Sequence, residues 1–365
     1  MRAISFVLAA AFLPALVVAD PTIPNATTTT YGTFPADYRP YTITLDPAGF
    51  LYAGSDNNDV AGITLRRIPP GGGPAVPFST APVYDPDGII CDRAGVFSGV
   101  TGAIIVAYTV NTGPEGAIGI FSPGGVLGVR ISPTSVLANN DAMAFDSQGR
   151  LYVNAYAAGT IVRITAADPQ VFVTMPGGIG GGILAIDTDN KLWISCSDGA
   201  LRRYSSTGTL EATIPVGGAF PTLGFCPVAG ALPAGLYTFN RDNGNLLRVT
   251  ATDTLVPAGS GFPTTVYHLI FNAAGDLFSA DWATGTVWKT SRGCGNRADV
   301  ASLGGAAGPD GQLTADDIIL YLASFFSGNL AIADIASLGG NPAPDGQLTP
   351  DDLISFLSAF FAGCP

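Results

Sequence analysis

Apolar residues in this chain come in short runs, and the runs come in sets. In "AMAFDSQGRLYVNAY" (142–156) an apolar run ends on an Asp, a turn with Gly follows, and a second run alternates apolar and polar residues. A period of two marks a strand. In the turn, Asp caps its own backbone and Gly supplies a positive φ. The phrase recurs as "YTITLDPAGFLYAGSD" (41–56), "GIICDRAGVFSG" (88–99), "LAIDTDNKLWISCSDGALRRY" (184–204), "LGFCPVAGALPAGLYTFNRDNGNLLRV" (223–249) and "LIFNAAGDLFSADWATGTVWKT" (269–290). The residue closing the first run is Asp46, Asp92, Asp146, Asp187, Cys226 or Asn272. A spacing of roughly 40 to 55 residues is the period of a propeller blade. One blade leaves both faces of its sheet bare, whereas six around an axis cover one another. The pattern predicts an all-β six-bladed β-propeller over residues 20–292. The last set holds three strand signals, while "NATTTTYGTFP" (25–35) is a β-branched run without a partner. That run is expected as the outer strand of the last blade, closing the ring.

Beyond residue 292 the period changes. "ADVASLGGAAGPDGQLTADDIILYLASFF" (298–326) aligns without gaps to "ADIASLGGNPAPDGQLTPDDLISFLSAFF" (333–361). Apolar residues then recur at helical spacing: Ile318, Leu322 and Phe325 in one copy, and Ile354, Leu357, Phe360 and Phe361 in the other. Thr314 and Thr349 are placed as N-caps, with Asp317 and Asp352 at N3. Ala315 exchanges with Pro350 at N1, where proline is tolerated. A small all-α module is expected over 293–365.

The carboxylates of the module follow the second half of an EF-hand loop. Asp310 and Asp345 stand at position five, before the turn glycine. Gln312 and Gln347 offer carbonyls at seven, Thr314 and Thr349 stand at nine, and Asp317 and Asp352 at twelve. Position one falls on Ala306 and Asn341, so Asp299 and Asp334 are expected as further ligands if the loop is lengthened. Ca²⁺ is the expected cofactor.

The formal net charge is −12, Lys occurs only at Lys191 and Lys289, and no basic stripe exists. Nucleic acid is therefore excluded as a partner, because phosphate binding needs clustered Lys and Arg. "MRAISFVLAAAFLPALVVAD" reads as a signal peptide over 1–19, cut after Ala19, which makes the protein secreted or cell-surface. The run is short and broken by Pro14, so no membrane span is expected. Export permits disulfides. Cys294 and Cys364 bracket the module and are expected to clasp it. Cys91, Cys196 and Cys226 either remain buried thiols or contain one pair, Cys196–Cys226 first.

In a propeller the residues just before each inner strand line the channel mouth. Here they are Arg39, Tyr41, Asp85, Asp87, Asn140, Asp141, Gly181, Gly182, Thr222, Tyr267 and His268. His268 is the only His and a candidate general base near neutral pH; Asp141 is the second catalytic candidate. No Gly-x-Ser-x-Gly elbow, no Ser-His-Asp order and no paired Glu for glycoside hydrolysis is present.

The repeats resemble six-bladed NHL and gluconolactonase-like propellers. "NNDAMAFDSQGRLYV" (139–153) is similar to the Asn-Asp segment of senescence-marker-type gluconolactonases. That resemblance implies a divalent metal held at the channel by a Glu, an Asn and an Asp. The sequence departs from it: the first Glu is Glu115, in a loop, and Gly181-Gly182 stands where Asp-Gly would be. The duplicated module resembles bacterial type I dockerins. This implies calcium-dependent docking to a cohesin-like receptor through an exposed helix face, with two pseudo-equivalent faces. The combined reading is an exported recognition propeller taking a carbohydrate or protein ligand at Arg39, Asp87, Asn140, Asp141, Tyr267 and His268, anchored by a dockerin-like module. The alternatives are a metal-assisted lactonase or lyase and a structural adhesion protein.

Overall fold

The computed structural model describes residues 21–24, 26–56, 62–109, 115–165, 168–293, 296–301, 305–308 and 312–363. Six sheets, antiparallel but for a short parallel pairing of Gly32–Thr33 with Gly73–Pro74, follow in chain order, each led by an inner strand: Pro40–Leu45, Gly88–Asp92, Asn140–Phe145, Gly181–Ile186, Thr222–Cys226 and Val266–Phe271. They are the six expected blades. The second strand of each blade pairs back on the first through the turn that the sequence phrase marks, as in Leu45 opposite Leu51 and Phe145 opposite Leu151.

The ring closes as the β-branched run predicts. Ala26–Thr33 lies antiparallel to Thr286–Arg292, and Thr28 meets Thr290 through their hydroxyls at 2.9 Å. The sixth sheet therefore joins both ends of the propeller sequence, which hides an edge that would otherwise be free to pair with another chain.

Cys91, Cys196 and Cys226 are buried and unpaired, so the Cys196–Cys226 bridge does not form. Cys91 and Cys226 sit at the turn ends of blades 2 and 5, whereas Cys196 closes the second strand of blade 4 opposite Gly181, at the mouth end. Cys226 holds the place that Asp takes elsewhere, and its thiol donates to the Val228 carbonyl at 2.9 Å. The expected Cys294–Cys364 clasp and the signal peptide lie outside the described residues. Among the described residues no helix is long and apolar enough to cross a membrane.

The C-terminal region is helical: α1 (Ala315–Ser327), α2 (Leu330–Ala333) and α3 (Pro350–Ala362). Its apolar cluster is centred on the fully buried Ala298, Tyr321, Ala333 and Phe356. Tyr321 and Phe356 hold matching places in the two copies and stack on each other at 3.8 Å, with planes 10° apart. The duplication thus supplies both halves of a small core.

Candidate functional site

The two ends of the channel are built differently. At the turn end, the repeated carboxylates are structural. Oδ1 of Asp146 accepts from the amides of Gln148 and Arg150, and Oδ2 accepts from the Tyr152 hydroxyl. Asp46 repeats this with Phe50 and Tyr52, and Asp187 with Lys191 and the Trp193 indole. Each Asp ties its own turn to an aromatic ring of the second strand. The channel above these turns is a cavity of about 450 Å³ with apolar walls, including Leu45, Ile90, Met143, Leu184 and Ile270.

The opposite mouth is polar. Counting back five residues from each turn landmark gives Tyr41, Asp87, Asp141, Gly182, Pro221 and Tyr267, one per blade. Loops after the second strands add Asp56, Arg241 and Trp282. Tyr267 lies 5.2 Å from Tyr41 and 6.0 Å from Trp282, ring centre to ring centre. The Arg241 guanidinium covers Tyr267 at 3.7 Å and that of Arg39 covers Trp282 at 4.8 Å. The Trp282 indole donates to Asp56 Oδ2 at 3.1 Å.

Carboxylate oxygens of Asp56, Asp85 and Asp87 lie within 4.8 Å of one another. Asp87 and Asp141 are each only 8% exposed. Burial, together with the charges of Asp85, Asp141 and Asp56, pushes the Asp87 carboxyl well above the usual carboxylate range. Burial, then Asp85 and Asp56, does the same to Asp141. Burial and the surrounding carboxylates also hold the Tyr41 hydroxyl in its protonated form. Among the described residues no Lys or Arg forms an ion pair with these four aspartates; both nearby guanidinium groups are spent on aromatic faces.

The backbone is strained on this side. Arg39, Asp85, Asn139 and Phe220 have φ of 37°, 44°, 49° and 52°, and each belongs to a loop that enters an inner strand. Each such residue costs about 1 kcal/mol or more, and such costs cluster where a binding surface is shaped.

Arg39, Asp87, Asp141 and Tyr267 are thus gathered at the mouth as expected. Asn140 is turned inward: its amide donates to the Ala117 carbonyl at 3.4 Å, and its Oδ1 is buried without a partner. His268 lies one layer deeper, inside the channel. Its Nδ1 accepts from the Ile43 amide at 2.9 Å, and burial lowers its pKa to about 4. At neutral pH the imidazole is uncharged with its proton on Nε2, so the ring nitrogen left for a ligand is a donor. Gly181 and Gly182 lack room for side chains. A Cβ on Gly181 would stand 2.7 Å from Asn154 Oδ1, and one on Gly182 2.7 Å from Ser195 Oγ. Asn154 instead donates to both glycine carbonyls and, at 3.4 Å, to Asp141.

Asp56, Trp282, Arg241 and Asn154 were not marked by the sequence pattern. The ring of Tyr41, Asp87, Asp141 and Tyr267 can be found by counting from the landmarks. The added loops share no repeated phrase.

In the C-terminal region, Asp317 and Asp352 are wholly buried. Asp317 accepts from the amides of Val300, Ala301 and Thr314 at 2.7–2.8 Å. Asp352 accepts from Ile335, Ala336 and Thr349 at 2.8–3.0 Å. Asp334 reaches across the loop to the Asp345 and Gly346 amides at 3.1 and 2.6 Å. Asp345 itself accepts from Leu338 and Gln347. Asp299 is buried, Gln312 and Gln347 are exposed, and Thr314 and Thr349 cap α1 and α3. Asp310 lies outside the described residues.

No protein-family model and no curated protein sequence matches the chain. Solved structures do match in fold. A putative oxidoreductase (glucose dehydrogenase) of Thermus thermophilus aligns with TM-score 0.55 and 15% identity, over 73% of this chain and 99% of that one. An auxiliary nutrient binding protein of Bacteroides ovatus aligns with TM-score 0.54 and 13% identity, over 73% and 76%. Virginiamycin B lyase of Staphylococcus aureus aligns with TM-score 0.51 and 14% identity, over 73% and 99%. At such identities the likeness is one of fold, and these propellers include enzymes and binding proteins alike.

Proposed function

We propose that the protein is an exported recognition propeller that binds a polyhydroxylated, sugar-like ligand at the polar mouth of its channel. The observation that carries this is the pairing of Tyr41, Tyr267 and Trp282 with desolvated carboxylates that have no basic partner. Aromatic faces take the C–H face of such a ligand, and buried acceptors take its hydroxyls. Trp282 is held by Asp56 and Tyr267 by Arg241, so little side-chain freedom is lost on binding. Calorimetric titration with neutral mono- and oligosaccharides tests the reading. Trp282→Ala should weaken binding by about 1–3 kcal/mol, as removal of an aromatic anchor does. Saccharides that give no heat with the unaltered protein would refute it.

A second reading, a metal-assisted lactonase or lyase, is favoured by one observation. Asp87 and Asp141 have raised pKa values, which suits a general acid near neutral pH. Turnover of lactone or lyase substrates, lost in Asp141→Asn, would select it.

For the C-terminal region we propose a calcium-ordered, dockerin-like anchor that docks a cohesin-like receptor. Its support is the equivalence of the exposed apolar residues. Ile319 and Phe326 are 64% and 80% exposed, and their counterparts Ile354 and Phe361 are 61% and 79% exposed. Two like faces offer two equivalent ways to dock.

A further inference from the structure

The seam between blades 1 and 2 carries three carboxylates packed more closely than hydroxyl recognition alone requires. Asp56 follows the second strand of blade 1, Leu51–Ser55, and Asp85 and Asp87 precede the inner strand of blade 2. The backbone fixes them together. The Ser55 amide donates to the Pro86 carbonyl at 2.9 Å, the Asp87 amide donates to the Asp85 carbonyl at 3.0 Å, and the Thr42 hydroxyl donates to the Asp87 carbonyl. Gly54 has no room for a side chain beside Pro86 and Asp87. Three carboxylates are therefore pressed into one place by the fold.

Two observations point to a missing charge. Asp87 is 92% buried, and its Oδ1 has no hydrogen-bond partner; Oδ1 of Asp85 also lacks one. A buried acceptor without a donor costs about 1–3 kcal/mol, and more when charged. The guanidinium groups of this mouth, Arg39 and Arg241, lie over Trp282 and Tyr267. The spacing also fits. Oxygens bound to one ion at about 2.4 Å lie no more than about 4.8 Å apart, which is the calcium case; Mg²⁺, with bonds of about 2.1 Å, would need them within about 4.2 Å.

We propose that Asp56, Asp85 and Asp87 form a divalent-cation site in this seam, with its remaining coordination positions open toward the mouth. The ion neutralises the unpartnered oxygens and fixes the two blades against each other. Its open positions face the surface framed by Tyr41, Tyr267 and Trp282. The site shares Asp56 and Asp87 with the mouth, but its test reads the ion alone, so it stands if the sugar-like reading fails.

Terbium luminescence on the full chain tests it, because Trp282 is bonded to one of the ligands. The three tryptophans, Trp193, Trp282 and Trp288, all belong to the propeller, and emission lost in the Asp variants of the seam is what separates this site from ions in the C-terminal loops. Saturable Trp-sensitised emission is expected, displaced by Ca²⁺ or Mn²⁺. Asp87→Asn should weaken terbium binding by about tenfold or more, since it removes a charged ligand. Trp282→Phe should cut the sensitised emission several-fold even at saturating terbium, and should also weaken ion binding, because it removes both the sensitiser and the indole bond to Asp56. Asp56→Asn serves if Asp87→Asn fails to fold by circular dichroism. No sensitised emission, emission that neither Ca²⁺ nor Mn²⁺ displaces, or emission unaltered in the folded Asp variants would overturn the proposal.

Discussion

Asp141 and Asp146 are five residues apart on and beside one strand, and their surroundings give them opposite roles. Asp146 is saturated by two amides, a tyrosine and the Arg150 guanidinium, and it holds a turn. Asp141 is equally buried but is met only by a long contact from Asn154, so it keeps its capacity to bind. His268 shows the same dependence on environment and allows a pH test. Its folded pKa of about 4 lies below the ordinary 6.5. Between those values the unfolded chain binds a proton that the folded chain refuses. Stability should therefore fall as pH drops through that window, by up to about 3 kcal/mol, and this loss should cease below it. Asp87 and Asp141 act in the opposite sense, because their raised pKa values favour the folded state on acidification. The informative quantity is the difference between the unaltered protein and His268→Gln in urea unfolding at pH 7 and pH 4.5. Parallel losses in the two proteins would show that the imidazole is not desolvated as described.

At the scale of elements, strands and turns were legible because each blade repeats one physical solution. An Asp or Asn, a Gly or Asn three residues on and an aromatic residue six on recur in blades 1, 3, 4 and 6, and the partnerless run 26–33 could only complete the last sheet. The binding mouth was half legible. Its inner ring shares the register of the repeats, whereas Asp56, Arg241 and Trp282 stand in loops that differ from blade to blade. Gly181-Gly182 was read as a departure from an enzyme pattern, and the structure supplies the packing reason for it. In the helices the N3 aspartates were placed correctly as caps, but the sequence did not reveal that they also fasten a preceding segment. Burial alone would raise the Asp352 pKa, yet the amides of Thr349, Ala336 and Ile335 outweigh it and hold the pKa below the ordinary carboxylate range. Its contribution is thus present above about pH 4 and lost as pH falls below that. Asp352→Ala leaves three amides without their acceptor and should destabilise the helical region by about 2–4 kcal/mol. Hydrogen exchange should show the Ile335 and Ala336 amides losing protection first. Retained protection there would mean that the carboxylate is not the fastener.

On the scale of the whole molecule, charge is unevenly placed. Eight Asp and one Arg lie in 293–365, so this short region holds most of the net charge of −12. Its core is small, centred on the Tyr321–Phe356 stack, and self-repulsion works against it. A bound cation would offset that repulsion and couple to folding. Calorimetry of the full chain should then show a transition of the helical region that chelation moves. Calcium at about a hundred times its dissociation constant adds about 2.7 kcal/mol, or roughly 10–20 °C for a unit of this size. Simple screening is separated from specific binding by a control in NaCl at matched ionic strength, which should recover only a small part of the shift. Asp87→Asn removes any calcium effect on the propeller transition and leaves that of the helical region intact. If EDTA, calcium and NaCl give the same melting curve, the acidic loops do not bind calcium, and the matched apolar faces of α1 and α3 would have to be ordered by some other means.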